Sequence, residues 1–131
     1  MNTKRISSNR ITHLLPNEIF VFGSNLRGYH CNGAAKIAYE RFGAEWGVGV
    51  GLRGQTYAIP TMQGDVSTIK PYVDEFIRYA SISTHFTFLV TEIGCGIAGF
   101  KPCDIAPLFR SVFDKNIQNI YLPESFYNYY K

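Results

Sequence analysis

The sequence predicts an α/β fold built on a largely parallel sheet. Two observations carry this. The apolar runs Ile19–Phe22 and Phe86–Val90 are near-continuous rather than alternating, as expected of strands covered on both faces. Along the chain such runs alternate with amphipathic stretches of helical period, the order from which parallel sheets flanked by helices are made.

Each element has its own local signature. Ile19–Phe22 is apolar, β-branched or aromatic, and is stopped by Gly23. Asn32 is placed to cap a helix that carries Ala34, Ile37, Ala38 and Phe42 on one face, with Gly43 where a left-handed C-terminal residue is wanted. The glycines of WGVGVGLRGQ predict a turn-rich connection, or a flat strand closely approached by other backbone. Thr56–Ile59 reads as a strand closed by Pro60. Ile69, Val73, Phe76 and Ala80 then define a helix, and capping by Ser67 or Thr68 would put Pro71 in its first turn. Phe86–Ile93 is the clearest strand. Ile105, Leu108, Phe109 and Val112 mark a further helix, capped by Asp104, and Asn119–Leu122 a last strand.

Length and composition bound the rest. A chain of 131 residues, 46% hydrophobic and 18% charged, makes a single globular domain. Its core is expected over about residues 17–122, with 1–16 as an N-terminal arm or strand and 123–131 as an aromatic tail. A net charge of +3 without a Lys/Arg run suits an anionic small ligand and gives no nucleic-acid patch. Three cysteines with no C-x-x-C spacing, no signal-peptide pattern and no apolar stretch near about 18 residues predict a cytoplasmic protein off the membrane. Oligomeric state is not encoded in any visible pattern.

The chemistry concentrates in two glycine-bearing loops. The letters Gly94, Gly96 and Gly99 spell the dinucleotide fingerprint G-x-G-x-x-G. Its context is wrong for a Rossmann fold: it comes late, Lys101 and Pro102 intervene before the next helix, and Glu124, next to Pro123, is a poor candidate for the acidic partner expected further on. What remains is a strand ending in peptide N–H groups free of Cβ crowding, able to turn toward one anion. Phe22–Ala38 repeats the design, with Gly23, Ser24, Asn25 and Gly28 in the loop and Gly33, Ala34 and Ala35 opening the helix. In a parallel sheet both loops emerge at the carboxyl ends of their strands, where α/β sheets bind ligands. Together they are placed to grip a diphosphate from two sides.

These loops resemble those of macro domains, the family that binds ADP-ribose and related nucleotides. FGSN (Phe22–Asn25) stands where that family has Asn-Ala-Ala-Asn, so Asn25 matches the second asparagine and Phe22 replaces the first. Gly28 and Gly33 match parts of the glycine loop, and Ala34 and Ala35 the small residues after it. Gly94-Cys95-Gly96-Ile97-Ala98-Gly99-Phe100 is similar to the later loop Gly-Thr-Gly-Ile-Tyr-Gly-Phe. No Gly-Asp-Ile segment precedes Ile19. The resemblance implies a three-layer α/β/α sandwich with a cleft for ADP-ribose or a relative. It places the first loop by the distal ribose and the second by the diphosphate, with no further cofactor. It also raises hydrolysis of an ADP-ribosyl or acyl-ADP-ribose bond.

For such chemistry the candidate catalytic residues are Asn25, whose amide both donates and accepts, and His30, the one histidine in a ligand loop. Each has a plainer reading, Asn25 as an Asx-turn residue and His30 as a loop side chain. Cys95 supports a rival, a thiol-dependent hydrolase using His30 as base, against a bland role as a small spacer. Zinc on His30, Cys31, Cys95 and Cys103 would require the loops to converge on one point, and no metal is expected. Trp46, Tyr57 and the tail Phe126–Tyr130 offer rings that either stack on a base or pack. A domain whose glycine loops are only turns, serving protein interaction, is the remaining alternative.

Overall fold

A computed structural model of the chain describes residues 5–130. Six strands form one mostly parallel sheet in the order β1-β6-β5-β2-β4-β3: β1 Ile6–Ser7, β2 Glu18–Ser24, β3 Gly51–Arg53, β4 Thr56–Pro60, β5 Thr87–Val90 and β6 Ile120–Pro123. Only the β3–β4 pair is antiparallel. The helices are α1 Gly33–Ile37, α2 Val66–Ile82, α3 Pro102–Ile105, α4 Arg110–Asp114 and α5 Glu124–Tyr127.

The continuous apolar strand at β2 is explained by burial on both sides. Ile19 and Val21 face a large core shared with Ile69, Val73 and Phe76 of α2 and with Ile105, Phe109 and Val112. Phe20 and Phe22, one position out of phase, face a smaller cluster with Ala35, Ala38 and Ala44. Burying both phenylalanines and both aliphatic residues stabilises β2 by roughly 1.5–3 kcal/mol per side chain. β2 is therefore a rigid rail in the sheet, hydrogen-bonded to β4 and β5 in parallel.

Several expectations are corrected. Pro71 lies in the second turn of α2, because the cap is Asp65, whose carboxylate accepts the Ser67 N–H at 3.1 Å. Pro71 is tolerated on the exposed side, where water reaches the Ser67 carbonyl it leaves unpaired. The face of α1 also departs from expectation: Ile37 is 39% exposed, while Ala35 joins Ala38 in the core. Ala35 and Ala38, three positions apart, share the buried face and leave Ile37 turned outward; the helix then continues as a wider π-helical turn over Ala38–Phe42, which Gly43 ends at φ 94°. The expected helix over Ile105–Val112 is broken into α3, a 3₁₀ turn at Ala106–Phe109, and α4, since Pro107 supplies no N–H for a continuous ladder. Its cap is Lys101, not Asp104; the Asp104 carboxylate accepts the Lys101 N–H at 2.9 Å.

The core also reaches beyond 17–122. β1 pairs with β6, placing Ile6 opposite Leu122. In the tail, Phe126 is fully buried against Phe109, with ring centroids 5.7 Å apart, and the Tyr130 hydroxyl donates to the Ala106 carbonyl. No helix among the described residues is long and apolar enough to cross a membrane.

Candidate functional site: a cleft between two glycine loops

Because β4, β2 and β5 run parallel and adjacent, their carboxyl ends open on one edge of the sheet. The loop after β2 and the loop after β5 rise there side by side and enclose a cleft of about 360 Å³. Gly23 and Gly94 touch across its floor. A Cβ on Gly23 would lie 3.3 Å from both the Gly94 nitrogen and the Thr61 hydroxyl, so a larger residue would push the loops apart.

The two walls present unpaired main-chain donors. Gly33, Ala34 and Ala35 open α1, and none of their N–H groups has an acceptor among the described residues. Asn32 sits at the N-cap with extended backbone, yet its side chain makes no capping bond, so those donors stay open to the cleft. Opposite them, the N–H groups of Gly96, Ile97 and Ala98 are likewise without an acceptor. All six residues line the cleft. Gly96 has open space where a Cβ would stand, so that wall is bare backbone. Each wall of the cleft thus carries three successive main-chain N–H groups without an acceptor among the described residues.

The first loop is held by its own side chains. Asn25 lines the cleft, but its amide is engaged: Oδ1 accepts the Tyr29 N–H at 3.0 Å and Nδ2 donates to the Tyr29 carbonyl at 2.9 Å. These two bonds close the loop and use one of the two amide hydrogens of Asn25. Gly28 lies outside the cleft, at φ 71°, where a Cβ would fall 2.3 Å from the Val48 nitrogen. A Cβ on Gly49 would fall 2.0 Å from the Asn25 carbonyl oxygen. The close approach expected of the 47–54 stretch is thus the seat of the first loop, secured by Ser24 Oγ donating to the Gly49 carbonyl.

His30 is 1% exposed and does not reach the cleft. Its Nε2 lies 2.9 Å from the Glu45 carbonyl and 3.1 Å from the Val48 carbonyl. Two carbonyl partners require a proton on Nε2, which leaves Nδ1 buried and without a partner. The ring is wedged between Phe22 and Trp46, so His30 buttresses the loop instead of serving as a base. Outside it, Trp46 stacks on Tyr29 at 5.7 Å and meets Tyr39 edge-on.

The second loop folds on local bonds: Gly99 N–H to the Gly96 carbonyl and Phe100 N–H to the Gly94 carbonyl. Gly94, Gly96, Ile97 and Ala98 line the cleft, whereas Cys95, Gly99 and Phe100 do not; Cys95 and Phe100 pack against the main core. Burial, reinforced by Glu92, Asp104 and Cys103, pushes the Cys95 thiol up to about 11. It stays protonated near neutrality, which removes the nucleophile of the thiol-hydrolase alternative. Among the described residues, no three of His, Cys, Asp or Glu gather closely enough to hold a metal ion, and the set His30, Cys31, Cys95 and Cys103 is dispersed.

Sequence reasoning missed Tyr29, Cys31, Asn32, Thr61, Met62, Thr91, Glu92 and Ile93, all of which line the cleft, and used Ala35 only as a small helix-opening residue. Thr61 and Thr91 directly follow β4 and β5, and that position at a strand's carboxyl end was a readable signal. No protein-family model, curated protein or solved structure matches the chain.

Proposed function

We propose that the cleft binds ADP-ribose or a related nucleoside diphosphate, with the diphosphate held between the two rows of main-chain N–H groups. One observation carries this reading: Gly33–Ala35 and Gly96–Ala98 present unpaired donors from opposite walls of one cleft. Six such donors complement an elongated dianion better than a single carboxylate or a neutral sugar. The macro-domain resemblance of both loops points the same way, and we read the sheet with helices on both faces as the corresponding α/β/α sandwich.

The geometry favours binding over turnover. Asn25 is tied to Tyr29 through its side-chain carbonyl and one amide hydrogen, His30 is buried behind the loop, and Cys95 lies outside the cleft with its thiol pushed up by burial. The protein is therefore read as a nucleotide-binding module, and the hydrolase and the pure interaction domain as the weaker readings. Thermal shift with ADP-ribose, NAD and other nucleoside diphosphates tests this. A rise in melting temperature in the native chain, lost in Gly96→Leu, is expected. No shift with any of them overturns the reading.

A further inference from the structure

A second cavity, of about 460 Å³, adjoins the cleft. Gly33, Ala34, Thr91 and Glu92 line both, so the two form one groove along the carboxyl edge of the sheet. The groove runs from Thr61, beyond β4, past β2 and β5, to Pro123 at the end of β6. The far compartment differs in charge from the near one. Arg10, on the segment after β1, and Arg41, in the π-helical turn after α1, line it from separate elements. Neither guanidinium has an ion-pair or hydrogen-bond partner among the described residues, while Arg53 and Arg110 each pair with a carboxylate. The Arg10 main chain is fixed by the Ser8 hydroxyl, which accepts its N–H at 3.1 Å and donates to its carbonyl. Phe20 and Ile37 supply an apolar wall.

Resting on the nucleotide reading above, we infer that this compartment receives a phosphate monoester carried by the ligand beyond its diphosphate. Two guanidinium groups from different elements match the oxygens of a phosphate, and each charge-assisted bond is stronger than a neutral one. Glu92 is the one acidic residue lining the groove, and its carboxylate takes the Ser125 hydroxyl at the junction of the two compartments. The anion therefore belongs at the arginine end, away from that junction. The ligand class is a nucleoside diphosphate with an additional phosphate monoester on the part of the molecule that enters this compartment.

Calorimetric titration of the full chain with ADP-ribose and with its 2′-phosphate and 3′-phosphate derivatives tests the inference. At least one phosphorylated form is expected to bind about tenfold or more tighter than ADP-ribose. That preference should shrink with added salt and fall to near unity in Arg10→Gln/Arg41→Gln, whose affinity for ADP-ribose itself stays within about twofold. Arg41→Lys, which keeps the charge, should retain part of it. Equal binding of all three ligands, or a preference that survives in the double variant, overturns the inference and leaves the nucleotide reading standing. No binding of any of the three overturns both.

Discussion

The two glycine loops look alike in sequence and are built on opposite principles. In the first, glycine is required by what lies against it: a Cβ on Gly28 would strike Val48, and one on Gly49 would strike the Asn25 carbonyl. Around that contact the side chains of Ser24, Asn25 and His30 all bond to backbone. In the second loop Gly96 and Gly99 have nothing within contact distance of a Cβ, and the rim is bare peptide. The first loop is packed at Gly28 and open at Gly33, where its helix begins, whereas the second is packed at Gly94 and open along Gly96 and Gly99. A glycine therefore means close packing in one place and access in another.

This contrast is broken most severely at the packed wall. Gly49→Val or Gly28→Ala should cost about 3 kcal/mol or more, from overpacking and, at Gly28, the positive φ; urea unfolding followed by circular dichroism measures it. His30→Ala should cost about 2–3 kcal/mol, by leaving the Glu45 and Val48 carbonyls unpaired and a cavity beside Phe22. If His30→Ala instead leaves stability unchanged, the buttress role fails. Asn25→Ala should cost about 1–2 kcal/mol and weaken nucleotide binding together with it, because the Tyr29 backbone is released.

The uncovered wall should respond in the reverse sense. Gly96→Leu is expected to change stability by no more than about 0.5 kcal/mol while abolishing the ligand-induced thermal shift. The smallest effect concerns Cys95. The folded state holds its thiol up at about 11, above the usual cysteine value, so its protonated form stabilises the fold at neutral pH. That contribution is present below the unfolded pKa and is lost as pH rises from about 8.5 through about 11. Alkylation with mass-spectrometric readout should accordingly modify the exposed Cys31 and Cys103 well before Cys95.

Much of this architecture was legible from spacing. β2, α2 and both glycine loops follow from local apolar pattern and glycine position, and Gly43 stops its helix at the left-handed angle expected of it. What escaped was set by tertiary partners. The burial of His30 depends on residues 45–48 folding over it, and nothing next to His30 in the chain announces that. Asn25 was open between a ribose contact and a loop-shaping turn, and its bonds to Tyr29, four residues on, fit the second reading. A strand within residues 1–16 was expected only as an alternative to an arm, because two residues carry no period and the pairing of β1 with β6 spans nearly the whole chain. Asp65 and Lys101 displaced the expected caps by a few positions, the ordinary scale of error at helix ends.

Trp46 is the only tryptophan in the chain, and its ring stacks on Tyr29, which lines the cleft. The protein thus carries its own optical reporter: an indole in ring contact with one wall of the cleft. Its emission reads the state of the first loop without any label, and it separates a loop that shifts on ligand entry from one already in place.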